Sequence, residues 1–317
     1  MKKITSLSLV LLLLTLSGCG ENNAKSTRFL LDTIVTLDAS CDGETLKDAF
    51  ALCESYENLL SKTKENSDVW KLNSGKGFVK VSKDTLSLLN RSLYYGKLSS
   101  GDFDITICPV TNLWDFEGTT LPNRKEIAEA LKNVDYESIE IKDGAVNLNG
   151  KKIDLGGIAK GYIADRLLSF FKENGTKEGI ISLGGNIVCF GDKYYNIGIK
   201  KPFGENELSA TLKIKNKSAV TAGIYERYIK KDGYIYHHIL DKKTGYGADS
   251  DLASATVIGN SSVDCDALST VCILKGNKKA VEIIENTPDT EAVFIDRNGK
   301  ITYTSGLELK NDIFTLK

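Results

Sequence analysis

An α+β fold is predicted for this 317-residue chain by three observations. Apolar patterns of helical period gather mainly in the first half. Alternating patterns of strand length dominate the second half, where Gly and Asp-Gly turns separate them as antiparallel hairpins require. The two kinds are interleaved in one body rather than alternating strictly, which argues against a doubly wound parallel sheet.

Taken in order, residues 28–38 alternate around Phe29, Leu31, Val35 and Leu37 and read as an opening strand or hairpin. Over 44–62, Leu46, Phe50, Cys53, Tyr56 and Leu60 recur at helical spacing. Ser82 is placed to cap a helix carrying Leu86, Leu89, Leu93 and Tyr94. Residues 99–118 read as a long loop, after which Asn123 and Glu126 have capping-box spacing for a helix to about 133. Strands at 138–142 and 145–148 follow. Residues 153–166 then read as a strand ending at Asp154, a tight turn at Gly156 and Gly157, and a helix to about 174. Strands are expected at 179–183, 186–190, 194–199, 208–214, 225–231, 234–240 and near 254–258. Helices at 263–274 and 277–285, then strands near 291–296 and 300–304, complete the chain.

The N-terminus reads as a targeting segment over residues 1–18, with Lys2 and Lys3 ahead of an apolar run from Leu7 to Leu16. Leu16-Ser17-Gly18-Cys19 closes it like a bacterial lipobox, which makes Cys19 the expected lipidated N-terminus and residues 19–27 a tether. A simple signal peptide or a short membrane anchor is the alternative. No later segment is apolar enough to span a bilayer, so a body at 28–317, held at the outer face of a membrane, is expected. A formal net charge of −1 gives no footprint for nucleic acid. The six cysteines after Cys19 form no Cys-x-x-Cys pair, which argues against zinc.

Three constellations point to chemistry. The Gly156-Gly157 turn aims backbone N–H groups and a helix N-terminus at one point, with Lys160 one turn further on, an arrangement suited to an anion such as phosphate. Its spacing matches neither the Walker A loop nor the dinucleotide fingerprint, and an ordinary Gly-Gly turn looks the same. Asp266 and Thr270, four apart, share one helix face and offer hard oxygen ligands of the kind Mg²⁺ takes. Asp at a helix start more often merely caps it. His237 and His238 are adjacent, so in a strand at most one faces a given site. A strand histidine is more often packed than catalytic, while Asp102 and Asp104 have the blander reading of solvated loop carboxylates.

Taken together, the motifs resemble one family. In order they are Leu31-Asp32-Thr33, Phe103-Asp104-Ile105-Thr106, Asn112-Leu113-Trp114, the run from Asp154 to Gly161, and Ser182-Leu183-Gly184-Gly185. Next come Tyr225, Arg227 and Tyr228, then His238 to Asp241 with Thr244-Gly245, and finally Asp266 to Thr270. This series resembles the ApbE-type FAD:protein FMN transferases over roughly residues 28–305. The resemblance implies an ApbE-like fold and a Mg²⁺-dependent transferase that moves the FMN half of FAD onto a threonine of an acceptor protein, releasing AMP. It also implies that FAD, as substrate, meets Leu31, Ser61, Asp102, Phe103, Asp104, Asp154, Lys160 and Leu240. It places Mg²⁺ on Gly157, Asp266 and Thr270 with Ser269 adjacent, and makes His238 the candidate for handling the proton of the incoming hydroxyl. Partners are then the acceptor protein, FAD and, through the lipid, the membrane. Water as acceptor would give an FAD pyrophosphatase, and a flavin-carrying lipoprotein is the non-catalytic alternative. The chain departs from the family at Leu31 and Asp32, where methionine and glycine are usual, and at Ala222 and Ile224, where serine and aspartate are common.

Overall fold

A computed structural model describes residues 23–317; the expected leader and Cys19 lie outside the described residues. The first half contains β1 (Ala24–Leu30), β2 (Thr33–Ala39), α1 (Gly43–Leu60), α2 (Asp68–Ser74), β3 (Val79–Lys80) and α3 (Lys83–Leu98). It continues with α4 (Cys108–Thr111), α5 (Arg124–Leu131), β4 (Glu140–Lys142), β5 (Ala145–Asn147) and α6 (Ala159–Glu173). Strands then follow as β6 (Gly179–Leu183), β7 (Asn186–Phe190), β8 (Tyr195–Lys200), β9 (Leu208–Ile214), β10 (Lys217–Gly223), β11 (Tyr228–Lys231), β12 (Tyr234–His237) and β13 (Leu252–Gly259). After α7 (Ser262–Lys275) and α8 (Asn277–Glu285) come β14 (Glu291–Asp296), β15 (Ile301–Tyr303), β16 (Leu307–Lys310) and β17 (Ile313–Leu316). This is the expected α+β architecture.

Its centre is an eight-stranded sheet in the order β1-β2-β6-β7-β10-β13-β14-β15, with every adjacent pair antiparallel. One face carries Val35, Leu37, Ile181, Val220 and Val257 against the helices. The other carries Cys189, Ala219, Ile258 and Val293 against the second sheet, β16-β17-β9-β8. The period-2 alternation of side chains makes one strand serve both cores: Val257 faces the helices and its neighbour Ile258 faces the sheet. Each such side chain, fully buried, contributes about 1.5–3 kcal/mol of hydrophobic free energy. A third, smaller cluster joins Val110, Trp114, Ile127, Ile229 and Leu240 under the two-stranded ribbon β11-β12.

Several expectations change. β1 begins at Ala24, inside the stretch expected as tether, because Ala24 to Leu30 pairs residue for residue with Ala39 back to Thr33. The long loop 99–118 contains a 3-10 turn at Ile105–Ile107 and α4, with Pro109 in the helix's first turn. The segment before Gly156 is no strand. Asn73 supplies its pairing instead: Ile153 N–H donates to Asn73 Oδ1 at 2.7 Å and Asn73 Nδ2 donates to Ile153 O at 2.9 Å. The sheets are antiparallel except for the parallel pair β17–β9. Among the described residues, no helix is long and apolar enough to cross a membrane.

Candidate active site

The site begins where α6 meets α7. A Cβ on Gly161 would lie 2.3 Å from the Ser262 carbonyl oxygen and 2.7 Å from Asp266 Cβ, so only glycine allows this approach. The contact brings Gly161 N–H to Asp266 Oδ2 at 2.8 Å. Asp165, one turn further along α6, accepts from Ser262 N–H at 2.8 Å and Val263 N–H at 3.0 Å and so covers the first turn of α7. Two carboxylates on α7 therefore part company: Asp264 pairs with Arg91 of α3 at 2.8 Å, while Asp266 faces inward, only 6% exposed.

Around Asp266 opens a cavity of 980 Å³, and every described residue the sequence put forward for flavin, metal or proton handling, from Leu31 to Thr270, lines it. Gly157 stands beside Thr270: a Cβ there would lie 3.7 Å from Thr270 Oγ1 and 3.3 Å from the Phe103 ring. Ser269 is buried and donates its hydroxyl to the Asp266 carbonyl at 2.8 Å. Burial raises the Asp266 carboxyl above its usual range, outweighing the charge of Lys160 and the Gly161 N–H. Asp266 has no cationic partner within ion-pair distance among the described residues. A buried carboxylate of this kind, with the Thr270 hydroxyl on the wall of the same cavity, offers hard oxygen donors that fit Mg²⁺ better than a softer metal. Among the described residues no group of three His, Cys, Asp or Glu gathers, so such an ion would complete its shell with water and phosphate oxygens.

The opposite end of the turn is more closed than expected. Gly156 N–H is taken by Asp154 Oδ1 at 2.9 Å, and both Ile158 and Ala159 N–H donate to Leu155 O. The expected crown of free N–H groups is reduced to those of Gly157 and Lys160. Asp154 is itself engaged: Lys62 Nζ donates to its Oδ2 at 2.7 Å and Thr111 Oγ1 at 3.0 Å. Burial would raise its carboxyl, but Lys62 first, then the Gly156 N–H and Thr111, hold it below the usual range. Lys62 and Thr111 are site residues that no sequence signal announces, because each acts only through a contact across the fold. By contrast, the Lys160 side chain has no hydrogen bond or ion pair among the described residues and faces the cavity.

Asp102, Phe103 and Asp104 form another wall, and the two carboxylates are not solvated. Lys275 and Lys243 bind Asp102 at 2.7 and 3.0 Å. Asp104 is buried and takes Thr106 N–H, Thr106 Oγ1 and Lys242 Nζ at 2.9, 2.6 and 3.0 Å. They brace the loop that presents the Phe103 ring. Ser61 caps the end of α1, accepting from Thr63 and Lys64 N–H at 3.2 Å each, and Leu240 enters from the third cluster.

The rim is built from turns. Leu31 and Asp32 close the β1–β2 hairpin with φ of 56° and 54°, a two-residue turn that favours Asn-Gly; here a leucine occupies a left-handed conformation facing the cavity. Arg227 Nη2 donates to Asp32 O at 3.2 Å. The two histidines separate as strand geometry requires. His237 is 1% exposed, its ring under Gly247 and Ala248, with Nε2 3.2 Å from Ala248 O. His238 turns to the cavity, and its Nδ1 lies 3.2 Å from Arg227 O. A carbonyl only accepts, so Nδ1 carries the proton and Nε2 keeps a free lone pair. Burial first, then the charges of His237, Lys160 and Arg227, lower the His238 pKa to about 4 against the opposing carbonyl bond. The imidazole is therefore neutral at pH 7 and able to accept a proton.

The arrangement thus joins a buried carboxylate, an unpaired lysine and a neutral imidazole around one cavity. A FAD:protein FMN transferase from Klebsiella pneumoniae is 33% identical over 270 residues, covering 82% of this chain and 85% of its own length. One from Treponema pallidum is 30% identical over 288 residues, covering 83% and 80%. The crystal structure of the ApbE protein of Thermotoga maritima superposes with a TM-score of 0.81 at 31% identity, over 90% of this chain and 97% of that one. The model of the ApbE family matches residues 31–294. The fold and the assembled motifs are those of that family, and this chain belongs to the ApbE family.

Proposed function

We propose that this protein transfers the FMN moiety of FAD to a threonine hydroxyl of an acceptor protein, forming a phosphoester and releasing AMP. The observation that carries the proposal is the placement of Asp266, Lys160 and His238 on the wall of one 980 Å³ cavity. The acceptor's threonine oxygen attacks the FMN-side phosphorus, a new P–O bond forms, and the P–O bond to AMP breaks. His238 Nε2 takes the proton of the incoming hydroxyl, while the Arg227 carbonyl holds the ring through Nδ1. Lys160, unpaired in the cavity, offsets the negative charge that grows on the departing AMP. Asp266, Thr270 and the Gly157 carbonyl would hold Mg²⁺, whose positive charge would offset the negative charge that develops during the transfer. Asp154, held by Lys62, and the Phe103 ring line the same cavity, where they position the flavin end rather than supply protons.

The lipobox-like tetrapeptide ending at Cys19 supports a position on the outer face of a membrane, with exported or membrane-bound redox proteins as the acceptors of this proposal. The test is stoichiometry. Purified protein, FAD, Mg²⁺ and an acceptor domain with a mapped threonine are mixed, and acceptor mass and AMP are followed together. One FMN gained per AMP released, abolished by Thr→Ala in the acceptor, is the expected result. AMP with free FMN and an unmodified acceptor would replace the proposal with a pyrophosphatase.

A further inference from the structure

Outside the cavity, one surface feature combines backbone strain with exposed aromatic area. After β8 the chain forms a small closed loop in which Lys201 N–H donates to Glu207 O at 2.9 Å and the two side chains pair at 2.6 Å. At its tip Phe203 holds φ of 58° while 44% exposed. A bulky residue in the left-handed region is an outlier, and such outliers cluster where function over-determines the backbone. Burial does not explain this one. The ring instead lies edge-on to Tyr225 at 6.0 Å and to Tyr228 at 5.4 Å.

Those contacts link inside to outside. Tyr225 lines the cavity, Tyr228 is 38% exposed, and Ile235, equally exposed, shares Tyr228's face of the β11–β12 ribbon. The ribbon begins directly after Arg227 and ends directly before His238, both cavity residues. An aromatic run therefore leaves the cavity mouth over Tyr225, Phe203 and Tyr228, with Ile235 diagonal to Tyr228 and Lys230 beside it on the same face, continuous with the wall that carries the base. Aromatic residues of few rotamers are what binding interfaces use as anchors. Neither water nor a free small molecule needs such a surface.

We propose that this run is the docking surface for an extended segment of the acceptor polypeptide, which it delivers to His238; the proposal rests on the transferase reading above. The test compares wild type with Phe203→Asn, Phe203→Tyr and the Phe203→Asn/Tyr228→Thr double variant. Asparagine tolerates the left-handed conformation, so the loop stays folded while the anchor is lost. Acceptor labelling, FAD affinity and AMP release without acceptor are measured on each. The double variant is expected to lose at least about tenfold in kcat/KM for the acceptor, through KM, with FAD affinity and acceptor-free AMP release unchanged. Phe203→Tyr is expected to retain acceptor kinetics. Unchanged acceptor kinetics in the double variant would overturn the proposal, as would a parallel fall in FAD affinity. A changed mass in sedimentation or lost binding to phosphatidylglycerol vesicles, with labelling intact, would assign the run to a second copy or to lipid instead. A wild type that releases AMP but never labels the acceptor defeats the transferase reading itself, and the docking role with it.

Discussion

The two ends of the cavity are held by different means. At one end α6 and α7 meet backbone to backbone at Gly161, and Asp266 is fixed by that contact. At the other, the rim rests on a few hydrogen bonds: Arg227 Nη2 to Asp32 O at 3.2 Å, and His238 N–H and Nδ1 to Arg227 O at 3.1 and 3.2 Å, around a turn of two non-glycine residues at positive φ. The difference suits two tasks. In the proposed reaction, phosphate charge and a metal would demand fixed donors, whereas a protein acceptor would have to enter and leave past a rim that can adjust.

The comparison can be broken at either end. The largest effect is expected from Asp266→Asn, which removes the buried carboxylate charge: AMP release should fall roughly a thousandfold in single-turnover assays. Gly161→Ala places a methyl group 2.3 Å from the Ser262 carbonyl oxygen. It should cost about 3 kcal/mol or more in urea unfolding, because neither backbone can give way cheaply. A tolerated alanine would show that the helix end is less rigid than the packing implies.

On the rim, His238→Ala should lower transfer about a hundredfold with FAD affinity retained. Because His238 has its pKa lowered to about 4, the acid limb of the wild-type rate profile attributable to it should lie well below pH 6.5. A limb at 6.5 would mean an exposed, unperturbed imidazole. His237, also lowered to about 4 chiefly by burial, links stability to pH. Its folded pKa lies below its unfolded one, so its contribution is complete above pH 6.5 and is lost as pH falls toward 4. About 2 kcal/mol of the loss between pH 7 and 5 belongs to His237 and a similar share to His238, so His237→Asn should recover about half of it. The smallest effect is predicted for Asp32→Gly, which relieves the left-handed turn: stability should rise by less than about 1 kcal/mol with FAD affinity unchanged.

Much of this layout is legible from residue spacing, and the exceptions share a cause. Amphipathic helices such as α1 and the capping box of α5 announce themselves because their partners are local. β10 does not: Lys217-Ser-Ala-Val-Thr-Ala-Gly lies between β7 and β13 with few large side chains, so no alternation marks it. α2 is seven residues long, too short for a period, although Ser67 caps it. The β16–β17 hairpin is not among the expected strands, which end near 304, although its turn, Asn311-Asp312, both at positive φ, lies between alternating runs. At the site, the ordered motifs name residues from Leu31 to Thr270, and they converge on one cavity. Lys62, Thr111, Asn73 and Asp165 escape notice because their significance lies in contacts across 40 to 100 residues, such as Lys62 with Asp154.

The most direct test of the division between the two ends measures FAD affinity with and without Mg²⁺, by calorimetry, in Asp266→Ala and His238→Ala side by side with wild type. The expected result is that Mg²⁺ tightens FAD binding in wild type and His238→Ala but not in Asp266→Ala, while neither variant labels the acceptor at the wild-type rate. If both variants lost the Mg²⁺ response equally, or neither did, the assignment of metal and phosphate to the helix end and of proton handling to the rim would be contradicted.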